Sequence, residues 1–302
     1  MKKSLFCLSL FALLLAGCAN LSSQAGKVEA ADWKFTYPDG KLKAVTFSYD
    51  DGVIEDRELI KIFDRYNLKA TFNISLGKAV KKPERFIQVP ELKKLYKNHE
   101  IASHGFLHRT MILLGDKSLT SEIADNQKAI AEVLGAEPPG FAYPYGRHTS
   151  KKAPTRIYEA LAKHNLRYAR TCQKKEDFDL PKNWLAWSPN CHHNFGLAAC
   201  KRYKEFEADK MSVCYIWGHS YEFARPKPRW QIIENICKEI AGQPDIWYAT
   251  NGEIARYVQA CEAAQKVSKF PEIVNPTEVT LHLTVNGRKV TIPPKSTKNI
   301  GN

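Results

Sequence analysis

The chain has 302 residues, 44% hydrophobic and 25% charged, with 45 lysines and arginines against 32 acidic residues and a formal net charge of +13. That length can bury a sizeable core, so the chain does not need disulfides to fold. The basic residues are scattered rather than gathered into a stripe, which argues against nucleic acid and leaves a solvated basic surface, or contact with an anionic envelope surface or glycan.

Residues 1–18, MKKSLFCLSLFALLLAGC, set Lys2 and Lys3 ahead of an apolar run too short to span a bilayer and ending in small residues, the pattern of an export signal. Leu15-Ala16-Gly17-Cys18 resembles the lipobox of a bacterial lipoprotein, which implies a chain lipid-anchored through Cys18 in the cell envelope, periplasmic or at the cell surface. Cleavage near Val28-Glu29-Ala30 and release as a secreted soluble protein is the alternative. Removing residues 1–17 takes away only Lys2 and Lys3 among the charged groups and leaves +11. Residues 19–31, rich in Ser, Ala, Gln and Gly, read as a flexible tether.

From residue 32 the pattern alternates. AVTFSY (44–49) predicts a strand, Leu59, Ile62, Phe63 and Tyr66 a helix face, and KATFNI (69–74) a second strand. HEIASH (99–104) is strand-like and precedes a longer helix with Ile123, Gln127, Ile130, Ala131 and Leu134 on one face. GFAYP (140–144), LRYARTC (166–172), MSVCYIW (211–217) and DIWYAT (245–250) continue the strands, with helices between and after them. The last two helices bury Trp230, Ile233, Cys237 and Ile240, then Ile254, Tyr257, Val258 and Cys261. About seven strand–helix units over about 235 residues predict an α/β fold, a distorted (β/α) barrel of about seven parallel strands over 32–267. The tail, 268–302, breaks the pattern. Two alternating segments joined by Asn286-Gly287 predict a small β-hairpin appendage that packs on the barrel or binds glycan.

Barrels of this kind carry their chemistry at the C-terminal ends of the strands. Asp50 and Asp51, followed by Gly52, stand at such an end, although an ordinary turn selects the same residues. His104 and His108, four apart after the HEIAS strand, can meet one metal ion if the backbone turns between them. Two histidines and one carboxylate would leave room for water and substrate, with the other aspartate free to accept a proton. FAYPYG (141–146) and the strand leading to His219, a candidate general acid, end at the same mouth.

Asp-Asp-Gly, His-x-x-x-His, Pro-Tyr-Gly and a late strand ending in His, in this order and over roughly residues 42–262, resemble the polysaccharide deacetylases of carbohydrate esterase family 4. The resemblance implies a divalent metal, usually zinc, on Asp51, His104 and His108; cobalt, nickel, iron and manganese suit the same donors. It makes Asp50 the catalytic base, the backbone N–H of Tyr145 the oxyanion donor and His219 the acid that protonates the leaving group. Many relatives carry an arginine where this chain has Ala142, and there it tunes the base; Arg170, or else Arg147, is the candidate replacement.

WLAWSPNCHHNFG (184–196) holds Trp187, which matches the tryptophan that lines the acetyl pocket in the family, and Trp184, a core candidate. Tyr143, Trp187 and Glu222 are the candidate substrate contacts, with Glu222 also able to orient His219. His192 and His193 suit substrate, a second metal, or neither. Six cysteines remain after Cys7 and Cys18: Cys172, Cys191, Cys200, Cys214, Cys237 and Cys261. Cys191 and Cys200, flanking a short polar stretch, are the first pair to test for a disulfide, and Cys237 and Cys261 read as packed thiols.

The expected function is metal-dependent removal of N- or O-acetyl groups from a carbohydrate outside the cytoplasm. The alternatives are a catalytically weak or inactive glycan-binding protein on the same barrel, a hydrolase of a non-sugar amide, and a structural envelope protein.

Overall fold

The computed structural model describes residues 32–149 and 155–301. The leader, Cys18 and the tether at 19–31 lie outside them.

Strands and helices alternate because the sequence alternates short β-branched and aromatic runs with 3.6-period stripes. In chain order, β1 (Trp33–Thr36) precedes β2 (Lys43–Asp51), α1 (Asp56–Arg65), β3 (Ala70–Ile74), α2 (Leu76–Lys81), α3 (Val89–Leu95), β4 (Glu100–Ser103), α4 (Asp116–Leu134) and β5 (Gly140–Ala142). There follow α5 (Arg156–Lys163), β6 (Tyr168–Arg170), β7 (Cys191–His192), α6 (Gly196–Glu205), β8 (Ser212–Gly218), α7 (Tyr221–Ala224), α8 (Gln231–Ile240), β9 (Ile246–Tyr248) and α9 (Asn251–Val267). The tail contributes β10 (Glu272–Asn275), β11 (Leu281–Val285), β12 (Arg288–Ile292) and β13 (Ser296–Asn299).

The main sheet runs β6-β5-β4-β3-β2-β8-β7, and β9 pairs with the start of β2 below the point where β3 joins it. All these pairings are parallel. β2 is buried along its whole length, as expected of a strand covered on both faces. The sheet curls, and an irregular segment spans the gap between β6 and β8. Trp187 N donates to Ala169 O (2.9 Å), Thr171 N donates to Trp187 O (3.0 Å), and Asn190 N donates to Tyr215 O (2.8 Å). The result is the distorted (β/α) barrel that the alternation predicts. β6 is shorter than the predicted 166–172 because its partner β5 offers only three residues for pairing.

One core lies between the sheet and α1, α3, α6 and α8, where Leu59, Ile62 and Phe63 are each almost fully buried. Burial of each such side chain contributes about 1.5–3 kcal/mol. A second core joins α9 to the tail. The predicted hairpin forms, with Asn286 (φ 48°) and Gly287 (φ 77°) at its turn, and β11 pairs with β1 as well as β12. Leu281, Leu283 and Ile292 pack with Ile254, Tyr257 and Val258, so this appendage shares the core of the barrel. Among the described residues no helix is long and apolar enough to cross a membrane.

Cys191 and Cys200, the first pair to test for a disulfide, are not bonded, and the six cysteines among the described residues are free thiols. The stretch between them is not a polar loop: it turns into α6, which carries Cys200 into the core beside Cys191, Cys214 and Cys237.

Candidate active site

The parallel register brings the strand ends to one rim. Asp50 pairs with Asn73, Ile74 with Ser103, Ser103 with Phe141, Ala142 with Arg170, and Tyr49 with Gly218. Strand alternation alone would send Asp50 and Asp51 to opposite faces. Asp51 takes a left-handed backbone (φ 82°), which breaks that alternation and lets both carboxylates reach the mouth.

Asp50 is 2% exposed and fully engaged. Asn73 Nδ2 donates to its Oδ1 (2.8 Å) and Arg170 Nη2 to its Oδ2 (2.5 Å). His104 Nε2 lies 3.8 Å and His219 Nε2 4.0 Å from the same Oδ2. Burial pushes the Asp50 carboxyl up, but Arg170, His104 and His219 together hold it below the ordinary carboxylate value. Arg170 is itself buried and lies over the Trp217 ring, with its guanidinium carbon 4.7 Å from the ring centre. Its register partner is Ala142, so the missing cation arrives from the adjacent strand at the paired position. Arg147, the other candidate, is exposed.

Asp51, His104 and His108 offer three ligand atoms within 4.8 Å of one another. His104 Nδ1 donates to Ala142 O (2.8 Å), which fixes the tautomer and leaves Nε2 as the lone-pair donor. Burial, reinforced for His108 by the neighbouring His104, lowers both imidazole pKa values, His108 to about 3, so both rings stay neutral as metal ligands require. Burial raises Asp51, yet His104 and Lys78 hold it at about 2. Lys78 Nζ donates to Asp51 Oδ1 (2.8 Å). This donor set fits a divalent cation by type, proximity and protonation state.

The loop carrying His108 is held from α4. Glu122, fully buried, accepts from Leu107 N (2.9 Å), Arg109 N (2.9 Å) and Arg109 Nε (2.8 Å). Gly105 has φ 75°, and a Cβ there would come within 2.8 Å of Glu122 Oε1. Neighbouring Asn126 donates to Ile74 O (2.7 Å) and Ser103 Oγ (2.8 Å), tying the ends of β3 and β4 together.

On the opposite side of Asp50, His219 Nδ1 donates to Glu222 Oε1 (2.8 Å). Burial disfavours the charged ring, but Glu222 and then Asp50 outweigh it, and the His219 pKa is raised. Ser220 Oγ donates to Asp56 Oδ1 (2.5 Å), fastening the segment after His219 to the start of α1. Tyr145 has φ 59° in the Pro144–Gly146 turn, and its exposed ring lies 4.7 Å from that of His108.

The remaining predicted residues are placed differently. Trp187 is 1% exposed and packs against Tyr168, Trp184 and Tyr215, with no open face at the mouth. Tyr143 is buried too, its hydroxyl donating to Leu185 O (2.7 Å). His192 is half-buried and His193 is buried, not looped out, and both face Glu222. Lys78, Asn73, Trp217, Glu122, Asn126 and Asp56 escaped the sequence reading. Only Glu122 and Asn126 left a signal, as polar residues adjoining the apolar stripe of α4.

Residues 38–169 match the sequence profile described as polysaccharide deacetylase. The matched stretch contains Asp50, Asp51, His104, His108 and the Pro-Tyr-Gly turn, so over these residues the resemblance to the polysaccharide deacetylases read from the motifs is borne out. No curated protein matches it. A structure from Mycobacterium smegmatis, provisionally assigned as a polysaccharide deacetylase, has a TM-score of 0.58 at 19% identity, covering 75% of this chain and 93% of its own. A probable polysaccharide deacetylase from Pseudomonas aeruginosa PAO1 has a TM-score of 0.53 at 13% identity, covering 71% and 89%. Puue allantoinase has a TM-score of 0.55 at 12% identity, covering 73% and 91%. At these identities the likeness is one of fold.

Proposed function

We propose that this protein is a metal-dependent hydrolase that removes N- or O-acetyl groups from a carbohydrate in the cell envelope, anchored by lipid on Cys18. The observation that carries the chemistry is the position of Asp50, held ionised by Arg170, between a His-His-Asp ligand set and the His219–Glu222 pair. Support for the location comes from the leader and its Leu15-Ala16-Gly17-Cys18 motif.

Asp51, His104 and His108 would hold the cation, zinc by preference. When bound, such an ion supplies Lewis acidity and lowers the pKa of water. Asp50 accepts the proton of the attacking water, and its pairing with Arg170 keeps it unprotonated for that role. The backbone N–H of Tyr145 meets the charge that develops on the carbonyl oxygen. His219, kept protonated by Glu222, gives its proton to the departing amine or alkoxide.

The test is acetate release from chitooligosaccharides, peptidoglycan fragments and acetylated xylan, with and without a chelator. Chelator-sensitive release supports the reading, and the best substrate names the glycan class. No release by folded, zinc-loaded protein on any of the three counts against it and turns attention to glycan binding.

A further inference from the structure

Glu222 is surrounded by more imidazole than one carboxylate needs for orienting a single ring. His192 Nε2 lies 3.1 Å and His193 Nε2 3.2 Å from Glu222 Oε2, while His219 Nδ1 is 2.8 Å from Oε1. His192, His219 and Glu222 each offer a ligand atom, all within 4.8 Å of one another. Their side chains are 22%, 21% and 25% exposed, so an ion can reach them from solvent while the fold holds them in place.

A second observation points the same way. His193 is 1% exposed and packed between Tyr49 and Phe223, with Nε2 turned to Glu222 and Nδ1 left without a hydrogen-bond partner. Buried polar groups left this way are uncommon and ask for a partner. The space around the ring is fixed: a Cβ on Gly218 would meet His193 Nδ1 at 2.0 Å, which keeps glycine immediately before His219.

We infer that His192, His219 and Glu222 form a second divalent-cation site, separate from the Asp51–His104–His108 set, and that its occupation inhibits the enzyme. Two imidazoles and one carboxylate are a zinc-type donor set. Ligands about 2.0–2.2 Å from a tetrahedral ion lie roughly 3.3–3.6 Å from one another; the contacts of His192 and His219 to Glu222, 3.1 Å and 2.8 Å, open slightly to reach that range, and the ligand atoms of all three residues already lie within 4.8 Å of one another. His193 then stands behind Glu222 and braces the carboxylate.

The inhibitory consequence rests on the proposed deacetylase reading and follows from which nitrogen is used. His219 presents Nδ1 to Glu222 and Nε2 to Asp50. A cation on Nδ1 displaces the proton there and draws off the negative charge of Glu222. The ring is then a neutral, metal-bound imidazole rather than an imidazolium. Its Nε2 proton is much harder to release, and leaving-group protonation slows.

The experiment counts zinc. The full chain, stripped of metal and dialysed against excess Zn2+, should bind two ions; His192→Ala and His192→Gln should each bind one, and His104→Ala one. Raising zinc from stoichiometric to excess should cut wild-type acetate release about 100-fold, as expected if a general acid is lost, and leave the rate ratio of both His192 variants near one. Thermal melts of the variants verify that they fold. A wild-type plateau at one zinc, or an unchanged plateau in both His192 variants, overturns the proposal. Two zinc ions with unchanged inhibition in the variants overturns its inhibitory half. If no substrate releases acetate, the deacetylase reading fails while the zinc count still decides the site.

Discussion

Arg170 and Asp50, 120 residues apart in the chain, form a buried ion pair at 2.5 Å, and Arg170 stands in register beside Ala142. Removing one member of a buried pair leaves the other uncompensated, at a cost of about 3–5 kcal/mol. Arg170→Ala should therefore lower the melting temperature by roughly 10 °C. It should also move the acid limb of the pH–rate profile upward, because burial then acts on Asp50 without its main counter-charge. Arg170→Lys should restore part of both. An Arg170→Ala enzyme with a normal profile would show that another group tunes the base.

The proposed function divides the work between the two aspartates. His104→Ala should lose bound metal as well as turnover, whereas Asp50→Asn should keep the metal and lose about 100- to 10,000-fold in rate, the range for a general base. Metal analysis beside acetate release separates the two. Full activity in Asp50→Asn would remove Asp50 from its role.

Glu122 touches neither metal nor substrate, but its carboxylate sets the loop that presents His108. Glu122→Gln keeps the shape and loses the charge facing Arg109. Zinc affinity should fall about 10- to 100-fold, the usual effect of disturbing the groups behind a ligand. Competition against a chromophoric chelator measures this, and wild-type affinity would make Glu122 a purely structural residue.

Asp56 gives a pH signature of its own. Burial raises its carboxyl to about 7 from an ordinary 3.8, despite hydrogen bonds donated by Ser220 and Tyr96. Between those values the native chain keeps a proton that the unfolded chain has released, so stability falls as pH rises from about 4 to about 7 and then levels. The fall attributable to this group is on the order of 4 kcal/mol. Denaturant unfolding of Asp56→Asn should show a flatter dependence across that window. An identical slope in wild type and variant would refute the assignment.

Local pattern carried much of the site into view. Asp50 and Asp51 before Gly52 and the His104–His108 spacing fall at strand ends, and strand ends are legible from apolar runs and the turn residues that close them. The hairpin at Asn286-Gly287 was readable for the same reason, since its turn needs positive φ at both residues.

The amino-acid sequence by itself thus determined the alternation of elements, the ends of the strands and the types of group gathered there. Tertiary structure alone decided which cation meets Asp50, that Trp187 and Tyr143 turn into packed interiors, that Glu122 faces inward, and that three histidines converge on Glu222. Neighbours in a parallel sheet are joined by long crossovers, so the partners of a side chain are set by register between distant strands and not by spacing along the chain. Arg170 and Arg147 are alike as residues; only the pairing of β5 with β6 puts one on Asp50 and leaves the other in solvent.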